Sequence, residues 1–140
     1  MFDLNGILSV GESFEINRTI EVDDTVGNQS VYLNRLLSTS ACVDTFVKAA
    51  TEITDGLLPE GFITIGHSIT ITHEAPSLLG TSITFRVLLR RIEGNKLFFD
   101  ISAYDAMGEI LTGNFERAVV NRIALMDKAE ARARKLRDMR

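Results

Sequence analysis

The spacing of hydrophobic residues changes twice along the chain. From Ser13 to Val22 they alternate, with Phe14, Ile16, Ile20 and Val22 on one side and Arg18 interrupting, which predicts a strand. The polar stretch Asp23 to Gln29, with Gly27 inside it, reads as a loop. Leu33, Leu36 and Leu37 lead into Ser38-Thr39-Ser40, side chains suited to capping a helix N-terminus. From Ala41 the period becomes helical, Val43, Phe46, Val47, Ala50 and Ile53 forming one apolar stripe. Ala49 and Ala50 keep that helix slim enough to lie close against a sheet, Gly56 predicts its C-cap, and Pro59 prevents its continuation.

After Gly61 the period falls to two. Ile63, Ile65, Ile69 and Ile71 are expected on one face of a strand, with Thr64, Ser68, Thr70 and Thr72 on the other. Ile83, Phe85, Val87 and Leu89 form the next apolar face. A turn at Glu93-Gly94-Asn95 leads to Leu97, Phe99, Ile101 and Ala103, and one at Ala106-Met107-Gly108 leads to a strand from Ile110 to Asn121. Short turns between consecutive strands predict an antiparallel four-strand meander. Asp127 onward, rich in Ala, Arg, Lys and Glu, reads as a terminal helix. One long helix must bury its stripe on one sheet face, so the pattern alone predicts a small α+β domain, with dimerisation the simplest cover for the remaining sheet surface.

Composition narrows the chemistry. The chain has 140 residues, enough for one domain with a sizeable core, and a net charge of −4. Asp127 to Arg140 carries a local +3, leaving −7 on the first 126 residues, and an acidic body disfavours nucleic acid. A single cysteine excludes a disulfide framework or a multi-cysteine metal site. No uncharged apolar run has the ~18 residues of a membrane span, and no basic residue precedes Arg18 to begin a secretory signal, so a soluble cytoplasmic protein is expected. Dinucleotide, phosphate-loop, zincin and nucleophile-elbow motifs are absent. Cys42, inside the helix, reads as a small buried hydrophobe. His67 and His73 fall in one strand at even spacing, both expected inward, and roughly 20 Å of regular strand separates them, too far to share a metal. An inward histidine near a strand end is a candidate acid–base group or a satisfied core residue. Ser38 and Thr39 read equally well as caps, and Asp44 as a carboxylate favoured by the helix dipole.

Several strings resemble the hot-dog fold, in particular the acyl-CoA thioesterases of the fluoroacetyl-CoA thioesterase branch. They are Leu37-Ser38-Thr39 before the helix, Leu58-Pro59-Glu60-Gly61 after it, and Ile65-Gly66 through Thr72-His73 to Ala75-Pro76. Gly113-Asn114-Phe115-Glu116-Arg117-Ala118-Val119 closes the pattern. The resemblance implies a hot-dog domain over residues 1–126, its antiparallel sheet wrapped around the central helix, with a basic helical tail over 127–140. It implies an acyl-CoA substrate, no cofactor, and a homodimer or a dimer of dimers, with an apolar acyl pocket at the dimer interface that Leu33, Leu36, Phe46 or Phe62 could line. The family's catalytic threonine falls on Thr39 and its histidine on His73, its strand glycine on Gly66, where an amide would serve an oxyanion site, and its late arginine on Arg117. Arg90 and Arg91 are candidates for the CoA phosphates. The family's helix glutamate falls on Val47, which cannot move a proton. Asp44, one turn earlier, could substitute, His73 could act alone as base with Thr39 placing the water or thioester, or the pocket could bind a thioester without hydrolysing it.

Overall fold

The computed structural model describes residues 2–139. The elements run β1 (Ser13–Thr19), α1 (Thr39–Thr54), β2 (Phe62–His73), β3 (Ser82–Glu93), β4 (Lys96–Asp105), β5 (Gly108–Asn121) and α2 (Arg122–Asp138). The five strands form one antiparallel sheet in the order β1-β3-β4-β5-β2. α1 packs on β3, β1 and β2. Phe46, Ala49 and Ala50 on the helix, Ile83, Phe85, Val87 and Leu89 on β3, and Leu97, Phe99, Ile101 and Ala103 on β4 are all buried in one hydrophobic core. Ser38 caps α1, its Oγ accepting the Ala41 amide at 3.1 Å.

Several expectations change. β1 stops at Thr19, and Val22 starts a short 3-10 turn with its side chain 68% exposed. Arg18 does not interrupt a core face, because its guanidinium donates to Thr45 Oγ1 and pairs with Asp24. The C-cap of α1 is Asp55, with a 3-10 turn through Leu57 absorbing Gly56. α2 begins at Arg122, capped by the Asn121 side chain, five residues before the expected start at Asp127; Arg140 lies outside the described residues.

Two further differences position the site. Only β3, β4 and β5 form a meander, because β2 lies beyond β5 and its connection to β3 crosses the sheet. That connector runs over the N-terminal end of α1. The Glu74 and Ala75 amides donate to Ile110 O, the Leu37 amide to Ser77 O, and the Leu79 amide to Arg35 O. β2 also carries a bulge at His67, where the register with β5 shifts between Gly66 and Ser68. Beyond it Ile69 and Ile71 pack on the core, whereas before it the buried position is Thr64. The four isoleucines therefore do not share a face, and an extra residue swaps the parity of everything after it.

Candidate active site

The end of β2 and the start of α1 meet beneath the connector. Thr39, the first residue of α1, places Oγ1 2.9 Å from His73 Nδ1. The other ring nitrogen, Nε2, is buried and has no hydrogen-bond partner among the described residues. Burial pushes the His73 pKa below its usual 6.5, the nearby backbone at Ala75 opposing the shift. A neutral imidazole follows at neutral pH, and the nitrogen not carrying the proton is a base. The pair opens on a cavity of about 290 Å³ that Leu36, Leu37 and Pro76 also line.

Asp44 is not part of this arrangement. It is exposed on another flank of α1, lining a polar cavity with Arg18, Asp24, Ser40 and Lys48. At about 100° per residue it stands roughly 140° round the helix from Thr39. Among the described residues no carboxylate hydrogen-bonds to His73 or pairs with it.

Val47 lies eight residues after Thr39, about 12 Å further along α1 and roughly 80° round it. With Val43 it walls a second cleft of about 440 Å³, whose opposite side is Gly66, Ile69, Phe115 and Arg117. Arg117 is 3% exposed. Its Nε donates to Thr64 Oγ1 at 3.2 Å, and its Nη2 donates to Thr64 Oγ1 at 3.0 Å and Thr64 O at 2.9 Å. Thr64 Oγ1 donates in turn to Asp55 Oδ1 at 2.7 Å. Burial pushes the guanidinium below its usual pKa and Asp55 opposes this. Gly66 lies directly beside the bulge, where the ladder with β5 is interrupted.

The remaining candidates lie elsewhere. Arg90 pairs with Asp100 at 3.2 Å, and Arg91 pairs with Glu93 at 3.1 Å while lying 4.1 Å over the Phe98 ring. Both are exposed. His67, at the bulge, is exposed rather than inward, its Nε2 3.2 Å from Glu116. Burial pushes the Cys42 thiol up to about 12, so it is inert. Among the described residues no group of three His, Cys, Asp or Glu could hold a metal, and no helix is long and apolar enough to cross a membrane. Thr64 and Asp55, which hold Arg117, went unnoticed in the sequence, where a strand threonine and a helix-end aspartate carry no distinguishing signal.

Residues 20–123 match the profile of the fluoroacetyl-CoA-specific thioesterase family. The chain is 35% identical over 77 residues to the fluoroacetyl-CoA thioesterase of Streptantibioticus cattleyicolor. That match takes in 55% of this chain and 52% of the relative, so it spans about half the length of the curated protein. A hot-dog-like protein from Thermanaerovibrio acidaminovorans is 36% identical with a TM-score of 0.90, covering 94% of this chain and 97% of that one. A variant fluoroacetyl-CoA-specific thioesterase in complex with fluoroacetate and CoA is 27% identical with a TM-score of 0.75, over 84% of this chain and 99% of that one.

Proposed function

The chain belongs to the fluoroacetyl-CoA-specific thioesterase family and has the hot-dog fold, and from that premise we propose that it hydrolyses an acyl-CoA thioester as a homodimer. The observation that carries this reading is the Thr39–His73 contact at 2.9 Å, with a half-buried imidazole whose pKa burial lowers. His73 takes a proton from water, and the water oxygen attacks the thioester carbonyl. The carbonyl oxygen gains charge against a backbone amide at the Gly66 bulge, the C–S bond breaks, and the proton passes to the CoA thiolate. Thr39 fixes the imidazole ring and orients the water or the carbonyl.

Thr39–His73 and Gly66–Arg117 occupy opposite ends of β2, and β2 pairs with β5 on one side only. Two β2 edges joined antiparallel about a twofold near residues 69 and 70 would set His73 of one protomer against the partner's Gly66. Such pairing also covers a free edge that otherwise invites uncontrolled association. One site is then built from both chains.

Val47 favours a second reading, acyl-CoA binding without hydrolysis, since among the described residues no carboxylate hydrogen-bonds to His73. Thioester turnover on a panel of acyl-CoAs separates the two. Hydrolysis predicts that His73→Ala loses about 10²–10⁴-fold in kcat/KM and that Thr39→Ala loses activity in the same direction. Wild-type turnover no faster than His73→Ala, with CoA binding intact, would leave only the binding reading.

A further inference from the structure

The second cleft has a donor that the hydrolytic steps leave unused. Val43, Val47, Ile69 and Phe115 give it apolar walls, and Arg117 closes it as a side chain 3% exposed. Nε and Nη2 are spent on Thr64, and the guanidinium lies 5.3 Å from the Phe115 ring centre. Nη1 makes no hydrogen bond to a described residue. It faces Gly66, where a Cβ would stand 3.9 Å from it. The carboxylate acting on Arg117 is Asp55, which reaches it through the Thr64 hydroxyl and does not line the cleft.

A charged donor aimed into an apolar cleft limits what can fill that cleft. A plain alkyl chain would satisfy the walls but bury Nη1 without an acceptor, and an unmet buried donor on a charged group is a costly defect. An acyl chain ending in a carboxylate satisfies the walls with its methylenes and the guanidinium with its oxygens. A glutamate at position 47 would place a carboxylate on the same cleft; Val47 leaves that place to the ligand. Nη1 lies near Gly66, so carboxylate and thioester would be separated by only a few methylenes.

We propose that this cleft selects short dicarboxylic acyl thioesters, with Arg117 Nη1 as the carboxylate anchor and Val47 keeping the guanidinium available. The proposal rests on the acyl-CoA reading above and deepens it by naming the acyl class.

Calorimetric titration of the full chain with CoA, S-pentyl-CoA and S-(4-carboxybutyl)-CoA tests it without requiring turnover. The carboxybutyl thioether should bind about tenfold or more tighter than the pentyl one. Arg117→Gln and Val47→Glu should each bring the two thioethers close to parity, the second by supplying a competing carboxylate. Should Arg117→Gln fail to fold, Val47→Glu carries the test alone. Pentyl binding as tight as carboxybutyl in the wild type, or a preference that survives in the folded variants, would overturn the proposal while leaving the acyl-CoA reading intact. Failure of CoA and both thioethers to bind would remove that reading and the proposal with it.

Discussion

The base role proposed for His73 needs an uncharged ring, and keeping it uncharged has a thermodynamic signature. Its folded pKa lies below 6.5 through burial, so the unfolded chain binds more protons in the window between the two values. Stability from this group is complete above about 6.5 and is lost as pH falls through the lower folded value. An NMR titration of the His73 ring should give a midpoint below 6.5, with the acid limb of kcat/KM following the same group; a midpoint at or above 6.5 would remove the buried-base argument. At this scale the sequence was only partly legible. Thr39 and His73 are 34 positions apart, so no local pattern pairs them, and only the resemblance put both in one site. Within the chain Asp44 lies away from His73, because three residues of helix carry a side chain about 60° off the Val47 direction.

β2 is the element that decides which residues face α1, and its bulge is invisible to periodicity. Ile63, Ile65, Ile69 and Ile71 keep odd parity through the sequence, so alternation reads one continuous face where the structure has two half-faces joined at His67. The well-read elements were those whose pattern and turns agreed. The inward faces of β3 and β4 were correct residue by residue, and Gly94 and Gly108 sit at their turns with φ of +59° and +129°. The bulge can be tested directly. Deleting His67 takes out the extra residue, so Gly66 and Ser68 become neighbours opposite Arg117 and Glu116, Ile69, Ile71 and His73 keep their inward face, and the variant should still unfold cooperatively. His67→Ala, which alters only an exposed side chain, should stay within about 0.5 kcal/mol of wild type. A deletion variant that loses cooperative unfolding would mean that β2 does not change parity at His67.

Strand order was illegible because it depends on a connector rather than a pattern. Glu74 to Thr81 looks like any loop, yet its hydrogen bonds to Ile110, Leu37 and Arg35 carry the chain across the sheet and leave β2 as an edge. That edge leads to the last prediction, which concerns two copies. If His73 works against the partner's Gly66, His73→Ala breaks each site from one side and a bulky Gly66→Val breaks it from the other. Cβ contact in the single chain is no obstacle to Gly66→Val, since a Cβ there meets Arg117 and Phe115 only at 3.9 Å. Mixed and refolded together, the two inactive variants would form heterodimers in which one site carries both lesions and the other carries none. Statistical pairing makes half the dimers mixed, each with one intact site of two, so about a quarter of wild-type turnover should return. Recovery requires sites shared across the interface: were each site confined to one chain, every site in the mixture would still hold one lesion, and the mixed sample would stay as inactive as its components.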